Sequence, residues 1–336
     1  MLNFIVQRVA RVVVMLLTVE LFIFLLIHAI PGSPWDSSEN QVRALGNVFA
    51  DPASLEYRSR YYGFDLPLWR QFTRYVVGDY REAGAFVCGL ICGNFGPSAR
   101  QEGRSVQHML FSAPEGQSAW NSRFGYTARL VTYAFVIVAV LGIPLGVASA
   151  LWKKSRFDKN ISTFFNVMAS IPVFILGLLQ ILIFASWLKW IKVLPDWSQP
   201  QYWILPTVLL AVIPLANMIR ITRAAVLNAM GGDYIRTARA KGLTRSQTIW
   251  IHVLPNALIS ILTFLLPLFA ELLAASFIIE GVFGFPGFGR EYWDSIGHLD
   301  YAMIMGITFI YACAISFINL FLETIYRLID PRMRAQ

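Results

Sequence analysis

The chain has 336 residues, of which 56% are apolar and 14% charged, and it carries a formal net charge of +8. Its mean hydropathy is +0.55. Soluble domains carry about a quarter charged residues, so this composition excludes an ordinary soluble domain and indicates a protein that lipid solvates over much of its area. No basic patch alternates with stacking aromatic residues, so the sequence does not predict nucleic-acid binding.

Six apolar segments are long enough to cross a membrane, which takes about 20 residues for ~30 Å of hydrocarbon. Lipid offers the backbone no hydrogen-bond partner, so each segment should be helical and the fold class is an all-α polytopic membrane protein. A turn, HAIPGSP, follows the first segment in place of a cleavage site, which favours a retained helix over a signal peptide. The predicted spans are Val12–Ile30, Leu130–Trp152, Phe164–Leu188, Trp203–Ile219, Leu258–Ile279 and Tyr301–Ile325.

Lysine and arginine are concentrated before the first span, between the second and third, between the fourth and fifth, and after the sixth. Such an excess marks the cytoplasmic side, so both termini are expected to be cytoplasmic and the net charge is a consequence of topology. Three regions follow. Residues 1–30 hold the cytoplasmic N-terminus and the first span, 31–123 form a sizeable extracytoplasmic segment, and 124–336 form the core, with a cytoplasmic elbow at 231–256.

The extracytoplasmic segment contains two of the three cysteines, Cys88 and Cys92. Oxidation is possible outside the cytoplasm, and a disulfide over so short a separation requires a tight turn in place of a regular helix. A disulfide and two free thiols are both open alternatives. The segment's only histidine, His108, is distant from the cysteines, so no metal site is predicted.

The elbow sequence, YIRTARAKGLTRSQTIWIHVLPNAL, predicts two short helices that are separated by a glycine. Asp233 is the expected N-cap of the first helix, and Gly242 should end it in the left-handed conformation. Thr244 and Gln247 have the spacing of a capping box, and Pro255 should mark the turn into the fifth span.

The expected surface of this elbow is a small apolar face of Ile235, Ala238 and Leu243, which arginines surround. Such an amphipathic element suits a groove on a cytoplasmic partner. The alternative is an elbow that lies on anionic lipid headgroups, attracted by its cations. Composition alone does not decide between them.

Polar side chains within the predicted spans are the candidates for a translocation path, because charged groups in lipid are costly. The alternative is that they join neighbouring helices through hydrogen bonds. In order of preference the candidates are Glu271, Glu20, Arg129, Asn217 and Gln180.

The loop GVFGFPGFGR after the fifth span is rich in glycine and aromatic residues. Phe283, Phe285, Pro286 and Phe288 are candidates for an external gate at the outer mouth. An interfacial aromatic anchor is the alternative.

Several motifs resemble one family, the permeases of ABC importers. DYIRTARAKGLTR followed by LPNAL resembles their cytoplasmic coupling loop (the EAA motif), and Ala238, Gly242, Leu254 and Pro255 match its pattern. YIRTARAKGL is similar to the form in the dipeptide/oligopeptide branch, which also includes nickel and glutathione importers. The opening helix with its IPGSP turn, YGFDLPLWRQFTRYV, EGVFGFPGFGREYWDSIGHLDY and the closing DPR resemble B-type members of that branch.

The resemblance implies the type I importer permease fold with six transmembrane helices, in the inner or plasma membrane of a prokaryote. It implies a second, C-type permease, one or two cytoplasmic ATPases and an extracytoplasmic substrate-binding protein as partners. ATP and Mg²⁺ are then used by the ATPases; this chain has no phosphate-binding G-x4-G-K-[ST] loop and is expected to be non-catalytic and to bind no cofactor. The residues expected to couple to the ATPase are Asp233, Tyr234, Ile235, Arg236, Ala238, Arg239, Lys241, Gly242, Leu243, Leu254 and Pro255.

The implied substrates are dipeptides and oligopeptides, with nickel chelates, glutathione or oligosaccharides as alternatives within the same importer class. A secondary transporter or a channel is a more distant alternative. The sequence has no detectable inverted repeat and no relay of acids and histidines through the spans. A channel would also leave the elbow unexplained.

Overall fold

The structure, a computed structural model, is helical apart from one two-stranded hairpin in the part of the chain that it describes. The extracytoplasmic segment predicted at 31–123 is covered only in part. The described residues are 2–31, 52–80, 85–101, 103–192 and 195–329.

The helices and strands follow one another with short connections. Up to residue 121 they are α1 (Leu2–Ala29), α2 (Pro52–Tyr62), α3 (Leu68–Val76), β1 (Gly78–Tyr80), β2 (Phe86–Cys88), a 3-10 turn (Leu90–Cys92), α4 (Val106–Phe111) and a 3-10 turn (Ala119–Asn121). Then come α5 (Arg123–Ile137), a π turn (Val138–Gly142), α6 (Ile143–Leu151), α7 (Arg156–Ser170), α8 (Val173–Ile181), a π turn (Leu182–Trp187) and a 3-10 turn (Pro200–Trp203). The last are α9 (Ile204–Met230), α10 (Asp233–Ala240), α11 (Arg245–Thr248), a π turn (Ile249–Val253), α12 (Leu254–Phe283), α13 (Phe288–Gly297) and α14 (Tyr301–Ile329).

Five helices of the described chain are long and apolar enough to cross a membrane, and a sixth span is possible as a bent pair. Every predicted span except the third corresponds to one of the five. The helices are longer than the apolar runs because polar helix-forming residues extend them beyond the lipid-soluble part. They are Gln7–Ala29, Arg123–Leu151, Pro200–Met230, Arg245–Phe283 and Tyr301–Leu322.

The predicted third span, Phe164–Leu188, is not one continuous helix. α7 and the helix that begins with α8 meet at an angle of 98°. The break lies at Pro172, which lacks an amide hydrogen and restricts the preceding residue to extended conformations. Ile171 accordingly has φ −94° and ψ 130°. The apolar run predicts the combined length correctly, but the proline divides it.

The chain forms two compact units, of which the first comprises Met1–Tyr126 and Gly287–Ser316. Its apolar core lies where Phe24 and Ile27 of α1 pack against Ile304 of α14. Side chains from the predicted extracytoplasmic segment cover this core, so the segment is folded against its own helices and is not a free loop.

Cys88 and Cys92 are joined by a disulfide in the first unit, with 5.9 Å between their Cα atoms. Cys88 ends β2 and Cys92 ends the following 3-10 turn, where Gly93 has a φ of +76°. This is the tight turn that the short separation requires. Of the two alternatives that the sequence left open, the structure contains the bridge.

The second unit, Thr127–Pro286 with Phe317–Gln336, is built around α9. α6 approaches it closely because Gly146 has no side chain: a Cβ atom there would lie 2.8 Å from the carbonyl oxygen of Ile219. Met218 and Val226 of α9 are fully buried. The close approach of the two backbones fixes the end of α9 from which the elbow departs.

Candidate functional site

The elbow begins at Gly232, one residue earlier than predicted. Gly232 is the N-cap of α10, with extended φ −70° and ψ 147°, and Asp233 is the first helical residue. The Gly231–Gly232 pair releases α9, so the extended cap falls on the second glycine. Asp233 does not cap the helix, but its charge in the first turn still favours the helix dipole.

The centre of the elbow agrees with the sequence. Gly242 has a φ of +86°, the left-handed conformation predicted for it. Thr244 and Gln247 form a complete capping box: the Thr244 hydroxyl accepts from the Gln247 amide at 3.3 Å, and the Gln247 Oε1 accepts from the Thr244 amide at 2.9 Å. The direction of the chain between α10 and α11 is therefore fixed locally.

The predicted turn at Pro255 is wrong. α11 continues through the π turn Ile249–Val253 into α12 without a break. Pro255 lies in the first turn of α12, where a residue without an amide hydrogen is tolerated. The wider turn before it accommodates the missing hydrogen bond. The second half of the elbow is thus the start of the fifth spanning helix and not a separate helix beside it.

The apolar face of the elbow is turned into this chain. Ile235 and Ala238 are 3% and 5% exposed, and Leu243 is half-buried. The prediction that these three side chains form a surface for a partner therefore needs correction. Burial against the chain's own helices leaves the cationic side of α10 exposed, including Arg236 and Arg239.

A buried ion pair holds three helices together next to the elbow. Asp158 of α7 accepts from Arg223 of α9 through both oxygens, at 2.8 Å from Nε and 2.9 Å from Nη2. The same carboxylate accepts from the Ser149 hydroxyl of α6 at 2.5 Å and from the Lys154 amide at 2.9 Å. The Asp158 side chain is only 7% exposed. We call these four residues the Asp158 cluster.

Sequence reasoning missed the Asp158 cluster. The spacing of Ser155 and Asp158 is typical of an ordinary helix start, and Ser155 does cap α7. Nothing in the local sequence links Asp158 to Arg223, which lies 65 residues later.

The polar residues predicted within the spans occupy different surroundings. Glu271 is exposed on α12, on the same face as Ala274, Ala275 and Ile278. Glu20 of α1 is 1% exposed. Neither of its carboxylate oxygens has a hydrogen-bond partner among the described residues. Glu271 alone has the accessibility that a partner or a water-filled path requires.

The other candidates of the second unit are held by separate neighbours. The Arg129 guanidinium lies 4.5 Å from the centre of the Trp203 ring, and Asn217 accepts from Arg220 at 3.0 Å. The amide oxygen of Gln180 is buried without a hydrogen-bond partner in the described chain. These residues do not form one cluster. A further acid, Glu280 of α12, is fully buried and was missed because it lies beyond the apolar run.

The aromatic residues of the loop after α12 are buried. In the second unit Phe285 is 0% exposed and packs between Trp197 and Trp203, each 4.8 Å away between ring centres. Phe283 is 8% exposed, and in the first unit Phe288 is 2% exposed. Burial of this degree does not fit an anchor at the lipid surface.

The described residues contain no group of three or more histidine, cysteine or acidic side chains placed to hold a metal ion.

Comparison with known proteins gives matches over almost the whole chain. Residues 142–335 match the family described as "Binding-protein-dependent transport system inner membrane component", and residues 1–114 match its N-terminal companion family. The chain is 33% identical to the dipeptide transport system permease protein DppB of Bacillus subtilis, over 99% of this chain and 98% of that protein. It is 30% identical to the glutathione transport system permease protein GsiC of Escherichia coli K12, over 99% of both.

A solved structure of the MetNI methionine ABC transporter, in an inward-facing conformation, aligns with a TM-score of 0.50 at 20% identity. It covers 61% of this chain and 93% of the chain compared. At this identity the likeness concerns the fold alone, and that fold is the one expected from the six spans and the elbow. The chain therefore belongs to the family of binding-protein-dependent transport system inner membrane components, the permease subunits of ABC importers.

Proposed function

We propose that this permease forms half of the translocation pathway of a peptide importer. Both reported relatives are named for peptides, since glutathione is a tripeptide. A binding protein delivers the peptide, and separate ATPases that bind ATP and Mg²⁺ supply the energy. Glutathione is the second candidate substrate, and the GsiC relative favours it.

The observation that carries the proposed mechanism is the continuity of the elbow with the fifth span. α11 joins α12 without a break, and the apolar face of α10 is packed inward. An ATPase that binds the exposed cationic side of α10 would therefore move α12 with it. Such rigid transmission converts closure of the ATPases into opening and closing of the central path.

Glu271 supports a second permease subunit against α12. An acidic side chain that faces hydrocarbon is costly, yet Glu271 is exposed in the middle of a spanning helix. We infer that the C-type partner or a water-filled path covers this face. Its carboxylate could then interact with the ammonium group of a passing peptide.

Transport by reconstituted complexes tests the function. The tagged chain is purified with the subunits that accompany it, reconstituted in vesicles, and supplied with labelled alanyl-phenylalanine or labelled glutathione. We expect uptake that requires ATP and the binding protein, with the dipeptide preferred. Uptake at full rate by this chain alone would contradict the proposal, as would uptake of neither peptide.

Labelling tests the proposed orientation. A cysteine at position 236 of α10 should react with a membrane-impermeant maleimide only from the cytoplasmic side, in a background in which Cys313 is replaced. Reaction from the outer side would place the elbow where no ATPase can reach it.

A further inference from the structure

A cavity of about 140 Å³ lies in the first unit, away from the elbow. One wall is formed by α1 and the start of α14, with Phe24 and Tyr301. A second is formed by α2, α3 and the turn between them. The third is the disulfide-bridged segment, which includes Cys88. The cavity therefore lies in the segment predicted to be extracytoplasmic.

Aromatic rings line most of the cavity and fix one another. Phe64 packs edge-on against Tyr301 with 5.4 Å between ring centres, and Tyr62 stacks on Phe64 at 6.2 Å. An apolar cavity of ~150 Å³ accommodates a ring the size of benzene. The space thus suits one aromatic or branched side chain.

Two opposite charges line the same cavity. Arg74 donates one hydrogen bond, from Nη2 to the Tyr61 carbonyl at 3.1 Å. A guanidinium has five N–H donors in a fork that matches a carboxylate, so donors remain for a ligand. Asp79 is 24% exposed, and the nearest Arg70 nitrogen is 3.7 Å from its Oδ2. The Arg70 side chain is 51% exposed, so this pair is weak.

The walls are held in place before any ligand binds. The two ring nitrogens of His28 lie 2.8 Å from the Phe24 carbonyl and 3.1 Å from the Gln71 side-chain oxygen. The Asn94 amide donates to the Cys88 carbonyl at 2.9 Å. A rigid site loses little conformational entropy on binding.

We propose that this cavity binds a small zwitterion with an apolar side chain, namely a free aromatic or branched amino acid. The side chain fills the aromatic space, the carboxylate meets Arg74 and the ammonium group meets Asp79. This site is separate from the predicted translocation residues, and it does not depend on which substrate the importer moves.

Equilibrium binding of labelled L-phenylalanine to the full chain in lipid nanodiscs tests the proposal. We expect saturable binding that unlabelled phenylalanine displaces. Phenethylamine lacks the carboxylate and 3-phenylpropanoate lacks the ammonium group, so each should compete at least about tenfold more weakly.

Two variants separate charge recognition from folding. Arg74→Gln should weaken phenylalanine binding about tenfold and remove its advantage over phenethylamine, and Asp79→Asn should do the same relative to 3-phenylpropanoate. The matched control replaces the exposed Arg60–Glu56 pair of α2, which does not line the cavity, by two glutamines. This control should bind normally, and the thermal midpoint of each variant checks that it is folded.

The outcomes decide the proposal. Absence of saturable binding, or equal competition by all three compounds, would overturn it. So would variants at Arg74 and Asp79 that weaken every compound equally. Tighter binding of phenylalanyl-alanine than of phenylalanine would support the paired charges and assign the end of a peptide as the natural ligand.

Discussion

At the scale of single residues, Gly242 shows how one backbone conformation supports the elbow. Its φ of +86° is strained for any residue with a Cβ atom, although a Cβ there would meet no atom within 4 Å. Gly242→Val should therefore cost about 1–2 kcal/mol through the backbone alone. We expect ATP hydrolysis by the complex to continue while peptide uptake falls, because α10 and α11 lose their fixed angle.

Gly231→Ala is the control for this variant. Gly231 has a φ of −82°, and the nearest atom to an added Cβ is 3.4 Å away. Both uptake and hydrolysis should be unchanged. Normal uptake by Gly242→Val would contradict the role of the elbow.

Glu291 is a second residue whose surroundings have a measurable consequence. Burial raises the pKa of Glu291 above its ordinary 4.5, and the nearby positive charge of Arg123 opposes this only in part. The folded chain then holds the proton more tightly than the unfolded chain, so the free energy of unfolding should fall as the pH rises above about 4.5. Glu291→Gln should flatten this part of a plot of the thermal midpoint against pH. An unchanged slope would show that Glu291 does not titrate there.

At the scale of elements, the Asp158 cluster determines how α6, α7 and α9 meet beside the elbow. Asp158→Asn leaves the Arg223 guanidinium without its charged partner, and breaking such a buried pair costs about 3 kcal/mol. Arg223→Lys keeps the charge but loses the two-pronged contact, so it should be intermediate. Thermal unfolding in detergent measures both.

The control for this cluster is the exposed ion pair of Arg236 and Asp233, 3.7 Å apart. Arg236→Gln should change the free energy of unfolding by less than about 0.5 kcal/mol. Equal effects of the Asp158 and Arg236 variants would mean that the cluster contributes no more than a surface pair.

At the scale of the whole molecule, the exposed face of α12 is where assembly should be tested. Glu271→Gln removes the charge at nearly constant shape. If a partner helix covers this face, the loss should weaken association by about 1 kcal/mol, or about fivefold, and lower uptake. Recovery of the second permease with the tagged chain measures the first effect. Glu115→Gln, an exposed change outside the spans, should have no effect, and a neutral result for both would remove Glu271 from the path.

The sequence by itself determined the number and order of the spans, the family and most of the elbow. These depend on neighbours in the chain: apolar runs of sufficient length, the glycine at 242, and the capping box of Thr244 and Gln247. Even the bend of the third span has a local cause in Pro172, although the apolar run concealed it.

The tertiary structure alone decided which faces are buried and which distant residues meet. It turned Ile235 and Ala238 inward, joined Asp158 to Arg223, and brought Arg74 and Asp79 to one aromatic cavity. Such contacts depend on the packing of helices that lie far apart in the chain, and the periodicity of a single helix does not specify its neighbour. Local hydrogen bonding fixes the elements, whereas burial of surface between them fixes the sites.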